Sequence, residues 1–536
     1  MNTRREFLRW MASGIAGIQA SHFLHAEKAR RAQPNFLLIA ADDMGFSDAG
    51  CYGGEIATPN LDRLADNGVQ FTQVYSAGRC WPSRACLLTG YYAQQVRMDP
   101  PKERLPVWAR LIPHYLKPAG YRCYHSGKWH IFGAPMPCQD GGFDHSYRLD
   151  DQDRFFSPQK HWEDDQPLPA VATGSGYYAT TAIADHAIHC LREHATDYSD
   201  RPFFHYLAFT SPHFPLQALQ ADIDRYRELY TIGWDAVRQS RWLRMRDRGI
   251  INCELSRLEP DVKPDWNLAA EELRKQIGFG EVSNAIPWNE LTQDQKKFQA
   301  HKMAIHAAMI DRMDREIGRV LDQLRSMGDF ENTVILFVSD NGASAEQMIR
   351  GDLHDPSVPP GSPRSFLCLG PGWSSAANTP FRLHKSWVHE GGIASPLLVH
   401  WPNGLPARGE LRNNPGHFVD LLPAILDLAG ISPSPTWKEK PVPQLAGRSL
   451  APAFSSDDSV PHDFLYFHHL NNRAIRIGDW KLVSAGSQGP WELYNLKKDR
   501  CEMKDLAAQH GEKVQELAMI WENHDTEFNR MAASES

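Results

Sequence analysis

Two pairs of side chains share one kind of chemistry. Asp42-Asp43 and Asp340-Asn341 each close an apolar run, far apart in the chain. Together they offer only oxygen donors, a set that selects calcium or magnesium over zinc or copper. Either pair alone reads equally as a solvated turn or a helix cap at a strand end. A third feature is Cys80, in the run Cys80-Trp81-Pro82-Ser83-Arg84-Ala85-Cys86-Leu87-Leu88-Thr89-Gly90. A thiolate is a soft ligand and does not match a hard-metal oxygen cluster. Read alone, Cys80 is a buried, inert thiol opening a helix, a position that Pro82-Ser83 also suits. Lys128, His130, His213 and Lys385 are the remaining candidates. Taken singly, a histidine is usually a hydrogen-bonded structural residue and a lysine a solvated charge.

These groups act together only if the fold gathers them. Asn35–Asp42, Phe203–Thr210, Thr333–Asp340 and Pro396–Trp401 are continuous apolar runs of the kind buried strands show. Helical spacing of Ile310, Met313, Ile317, Val320 and Leu324 predicts a helix over Met303–Leu324, and His417–Leu428 predicts a shorter one. Strands alternating with helices give an α/β fold: a large, mixed, mostly parallel sheet flanked by helices. In such sheets reactive groups collect at the carboxyl ends of strands, where both acidic pairs fall. After about Asp457 the pattern changes to short strands at Phe464–Phe467, Arg473–Ile477, Trp480–Val483 and Trp491–Tyr494, then a helix over Glu512–Trp521. This predicts a smaller C-terminal antiparallel sheet with one helix. The expected layout is a catalytic domain over residues 33–456, with an insert at 216–300, and a C-terminal subdomain over 457–536. The tryptophans of the insert, Trp234, Trp242, Trp266 and Trp288, suit stacking on a sugar or aryl ring and suit a core equally.

The Cys80 run matches the sulfatase signature, Cys-x-Pro-Ser-Arg followed by Leu-Thr-Gly, and further resemblances follow in order along the chain. Gly120-Tyr121 and Gly127-Lys128-Trp129-His130 resemble the family's second signature, with Cys123 where threonine is common. Ser211-Pro212-His213 resembles its Pro-His pair. Thr379 to Lys385 and Glu390-Gly391-Gly392-Ile393 resemble its later lysine and Glu-Gly-Gly segments. Gly478 to Leu482 and Glu492-Leu493-Tyr494 resemble its closing motifs. The resemblance implies the alkaline-phosphatase-like superfamily and oxidation of Cys80 to formylglycine, whose hydrate offers the hard oxygen a thiol lacks.

It further implies hydrolysis of an aryl or carbohydrate sulfate ester. Calcium would be held by Asp42, Asp43, Asp340, Asn341 and the oxygen at position 80. Asp340 would accept the nucleophile's proton and Arg84 would fix the hydrate. Lys128 and Lys385 would grip the sulfate oxygens, and His213 or Lys385 would protonate the leaving alcohol. His130 would deprotonate the second hydroxyl, so that the aldehyde re-forms and inorganic sulfate leaves. The alternatives are a formylglycine-dependent phosphoester or phosphonate hydrolase and a sulfated-glycan binder without catalysis.

Composition limits the partners. A net charge of −8 over 536 residues gives no general attraction for nucleic acid, so an anionic substrate needs a local cationic site. Arg4-Arg5 with Phe7-Leu8, before a weakly apolar run from Trp10 to Ala20, reads as a signal peptide over residues 1–26 and resembles the twin-arginine class. The run is too short to span a bilayer stably, and no later segment reads as a span. The expected partners are therefore the twin-arginine export machinery, a formylglycine-generating maturation enzyme and a sulfated small molecule or glycan. The expected location is periplasmic or secreted. Nine cysteines contain no Cys-x-x-Cys pair, which argues against a thiolate zinc site.

Overall fold

The computed structural model describes residues 33–102, 104–133, 136–406, 408–457 and 459–534. The segment expected to direct export lies outside the described residues.

Eleven strands form the main sheet: β1 (Asn35–Ala41), β2 (Val69–Tyr75), β3 (Arg122–Gly127), β4 (His145–Leu149), β5 (His161–Glu163), β6 (Gln166–Pro167), β7 (Phe203–Ala208), β8 (Thr333–Ser339), β9 (Ala394–His400), β10 (Glu410–Arg412) and β11 (Gly416–His417). Their order is β10-β2-β9-β8-β1-β7-β3-β4-β5-β6, with β11 also on β2. From β8 to β4 every pairing is parallel. β9 runs antiparallel to both β8 and β2, so the sheet is mixed. Every residue of β1 is buried, as a central strand covered on both faces requires. Leu37 and Ile39 enter one apolar layer, Phe36 and Leu38 the other.

The first layer is built on the helix Gln293–Ser326, which buries Ile310, Met313, Ile317, Val320 and Leu324. It begins well before the predicted Met303 because Thr292 and Gln295 form a reciprocal capping box, Gln295 N donating to Thr292 Oγ1 at 3.2 Å and Thr292 N to Gln295 Oε1 at 2.9 Å. The second layer contains the helices Cys80–Thr89 and Leu421–Leu428. The helix expected from His417 starts only at Leu421, since Gly416-His417 pairs with β2 and a tight turn follows.

A short ribbon, β12 (Thr436–Trp437) and β13 (Lys440–Pro441), precedes a four-stranded antiparallel meander. Its strands are β14 (Leu465–His469), β15 (Asn472–Ile477), β16 (Trp480–Ser484) and β17 (Glu492–Asn495). The helix Gly511–Ala533 packs on it through Leu517, Trp521 and Phe528. Residues 216–300 supply the helices Gln220–Ile223, Gly233–Asp247 and Ala270–Gln276. Trp234 and Trp288 are buried edge to face at 4.8 Å, and Trp242 donates to Cys253 O at 2.9 Å. Trp266 alone of the four insert tryptophans stays 41% exposed. Among the described residues no helix is long and apolar enough to cross a membrane.

Candidate active site

Six segments that leave one edge of the main sheet carry the predicted residues. β1 and β8 are in-register parallel neighbours, Ala41 opposite Ser339, so Asp42-Asp43 and Asp340-Asn341 emerge side by side. On the other flank of β1, β7 leads to His213, and beyond it β3 leads to Lys128 and His130. β9 enters from the same edge because it is antiparallel, which puts the Lys385 loop there. β2 leads to the helix that Cys80 opens, and Arg84 follows one turn later on the same face. The loops are held together by close backbone approach. Gly342 N donates to Gly392 O at 3.0 Å, and a Cβ on Gly342 would lie 1.9 Å from Gly391 O.

The floor of the site is a buried lattice of charge. Lys128 Nζ donates to Asp42 Oδ2 at 2.5 Å, and Lys385 Nζ to Asp43 Oδ2 at 2.8 Å. Arg84 makes a fork on Asp340 Oδ2, with Nε at 2.9 Å and a terminal nitrogen at 2.8 Å, and donates to Tyr206 Oη at 3.1 Å. Asn341 Nδ2 donates to Asp43 Oδ1 at 2.7 Å. His213 Nδ1 lies 2.5 Å from Phe214 O, which can only accept. Its Nε2 therefore faces Lys385 Nζ, 3.2 Å away, as an acceptor. Cys80 is buried, and the charges that bear on its thiol are those of Lys128, Lys385, Asp42 and Asp340.

Burial decides the protonation states. It pushes Asp42 up to about 6, aided by the Asp340 charge and opposed by Lys128, Arg84 and Lys385. It raises Asp43 too, against Lys385. Burial lifts the Cys80 thiol, so an unmodified cysteine here is a protonated, poor nucleophile. His213 is driven well down by burial and by Lys385, and His130 by burial and by Lys128, which keeps both neutral at neutral pH. Burial works against the Lys385 charge, but Asp43 and Glu346 hold that charge firmly.

The donor set suits a hard divalent cation. Asp42 Oδ1 and Asn341 Oδ1 are buried with no hydrogen-bond partner, a costly state for oxygens that an ion would relieve. Ligand atoms of Asp42, Asp43 and His213 also lie within 4.8 Å of one another.

Sequence reasoning missed Arg79, Tyr206 and Glu346. Glu346 accepts from Arg79 at 3.0 Å and from Trp266 Nε1 at 2.9 Å, and lies 3.4 Å from Lys385 Nζ. Arg79 stands between the Trp81 and Trp266 rings, 4.9 and 5.2 Å from their centroids. Adjacency to Cys80 was the one available signal for Arg79, and none marked the other two. Four further histidines close to the motifs serve packing: His125, His205, His384 and His389 bond to Ser146, Ser126, Ser374 and Glu492 respectively.

Comparison with known proteins decides the family. The model described as Sulfatase matches residues 34–431. The chain belongs to the sulfatase family. It is a sulfuric ester hydrolase. A second model, described as N-sulphoglucosamine sulphohydrolase, C-terminal, matches residues 381–525 of the sulfatase. The sulfatase is 30% identical to an uncharacterized sulfatase of Schizosaccharomyces pombe, over 95% of this chain and 96% of that protein. It is also 30% identical to an arylsulfatase of Klebsiella aerogenes, over 82% of this chain and 96% of that one. Among solved structures, the protein Ps i-CgsB in complex with k-i-k-neocarrahexaose shares the fold, with a TM-score of 0.64, 23% identity and 94% of each chain covered.

Proposed function

We propose that this sulfatase hydrolyses a carbohydrate sulfate ester, using formylglycine made from Cys80 and a calcium ion held by Asp42, Asp43, Asp340 and Asn341. The observation that carries the reading is the convergence of Cys80, four oxygen-bearing ligand residues and three buried cations on one sheet edge, two of those oxygens having no hydrogen-bond partner among the described residues. Calcium, when bound, supplies positive charge that stabilises the sulfate and the oxygen at position 80. Formylglycine, when hydrated, supplies a hydroxyl nucleophile and a second hydroxyl on the same carbon.

The chain's own residues do the rest. Arg84 fixes Asp340 and neutralises the buried floor. Lys128 and Lys385, poised on Asp42 and Asp43, bind the sulfate oxygens as point charges. Lys385 and neutral His213 share a proton across 3.2 Å and deliver it to the leaving oxygen. His130, with Nδ1 unpartnered, accepts a proton in the return half of the cycle.

Support for a sugar comes from a 420 Å³ cavity bordered by Lys128 and His130. Its wall combines the exposed ring of Phe132 with Arg148, Asp150 and Gln152, so that an apolar face and hydrogen-bonding groups stand together as a pyranose requires. The oxidising maturation enzyme and the twin-arginine route belong to the same reading.

The test is sulfate release from a panel of sulfated mono- and disaccharides, set against p-nitrophenyl sulfate and the corresponding phosphates. Turnover with a higher kcat/KM on one or more sugar sulfates supports the reading. Preference for phosphate would favour a phosphoester hydrolase, and binding without turnover a lectin-like role.

A further inference from the structure

The Sγ atoms of Cys253 and Cys501 lie 2.7 Å apart although 248 positions separate the residues in sequence. Unbonded heavy atoms settle at about 3.5–4.0 Å, so this is closer than two independent thiols would stand. Both residues are buried, Cys253 at 5% and Cys501 at 0% exposure. Other cysteines with a side-chain partner face non-sulfur groups: Cys138 faces Asp164, Cys190 faces His186 and Cys368 faces Met348 O.

The surroundings of the pair say what a bond would do. Downstream of Cys253, Ser256 N donates to Pro380 O at 3.1 Å, and Glu259 takes a fork from Arg382 at 2.7 and 3.0 Å. Beside Cys501, Arg500 donates to Glu390 Oε2 at 3.2 Å. Glu502 accepts from Glu390 N at 2.7 Å and, through its carbonyl, from Arg382 at 3.0 Å. Both cysteine segments thus grip the stretch from Pro380 to Glu390, which carries Lys385 at its middle.

We propose that Cys253 and Cys501 form a disulfide that staples the insert to the C-terminal subdomain and clamps the Lys385 loop from two sides. In forming it the two thiols lose two protons and two electrons. A small-molecule or protein disulfide acts as oxidant by thiol–disulfide exchange and leaves as two thiols. Such bonds persist outside the reducing cytoplasm, the location expected from the N-terminal segment.

The test expresses the full chain in cells with an oxidising cytoplasm, denatures it in alkylating reagent without reductant, and maps the peptides by mass. The expected result is a linked Cys253–Cys501 peptide pair in most molecules. Recovery of both cysteines as alkylated thiols would overturn the proposal. The clamp is read separately by thermal inactivation. Reductant should lower the midpoint of the wild type by about 5 °C, since the bond closes a long loop. The Cys253→Ala/Cys501→Ala variant should start at the lower midpoint and ignore reductant. A Cys253→Ala/Cys501→Ala variant with the wild-type midpoint in the absence of reductant would overturn the clamp.

Discussion

Lys385 Nζ donates to Asp43 Oδ2 at 2.8 Å across 342 positions of sequence, and the same ammonium stands 3.2 Å from His213 Nε2. One cation therefore touches a proposed metal ligand and a proposed acid at once. Replacing it removes a sulfate contact and leaves Asp43 buried without its counter-charge. Lys385→Ala should lower kcat by about 10²–10³-fold. Lys385→Arg should not rescue it, because a planar fork does not replace a compact ammonium in a closed lattice. Steady-state kinetics on a sulfate ester check both.

His213 is proposed to help protonate the leaving oxygen, so its importance should follow the leaving group. His213→Ala should cost about 10²–10⁴-fold on a sugar sulfate, whose alkoxide is a poor leaving group. On p-nitrophenyl sulfate the loss should be far smaller. Equal losses on the two substrates would point to a positioning role for His213 instead.

Much of this arrangement was legible in the sequence, and the reasons for the rest are physical. β1, β7 and β8 were read to within two residues, because a strand buried on both faces must be continuously apolar. The direction of β9 was not, since an apolar run is the same in both directions. β3, Arg122–Gly127, has no apolar run, because His125 and Ser126 are satisfied inside the sheet by Ser146 and His205. At the site, motif residues could be named in advance. Glu346 could not, because a single carboxylate in a loop has no pattern until Arg79, Trp266 and Lys385 surround it.

The orphaned oxygens of Asp42 and Asn341 predict a stabilising cation. Stripping the protein with a chelator should lower both activity and the unfolding midpoint, and calcium should restore both. At a hundredfold excess over Kd the gain is about 2.7 kcal/mol. Asp42→Asn should abolish the calcium-dependent part of the shift, which calorimetry reads without any turnover.

The loop after β1 is anchored by a second buried cluster. Asp48 accepts from Arg241 at 2.7 Å and lies 3.0 Å from His306 Nε2, with all three side chains buried. Burial alone would raise the Asp48 carboxyl, but His306 and Arg241 hold it down at about 2. Its folded value is thus below the ordinary one near 4, so its contribution is present above about pH 4 and is lost as pH falls toward 2. Asp48→Asn should destabilise by about 2 kcal/mol at pH 7, because Arg241 loses one of its two buried carboxylate partners while keeping its fork on Glu55 at 2.8 and 2.7 Å. The gap between wild type and variant should narrow in denaturant titrations below pH 4.

The proposed sulfatase chemistry requires formylglycine, not cysteine, at position 80. The direct measurement prepares the protein with and without a formylglycine-generating enzyme, then compares the mass of the Cys80 peptide with turnover of p-nitrophenyl sulfate. Conversion lowers the peptide mass by about 18 Da. The kcat should rise in proportion to the converted fraction, and Cys80→Ala should be silent in both preparations. Full sulfate turnover by a preparation in which position 80 is wholly thiol would contradict that requirement.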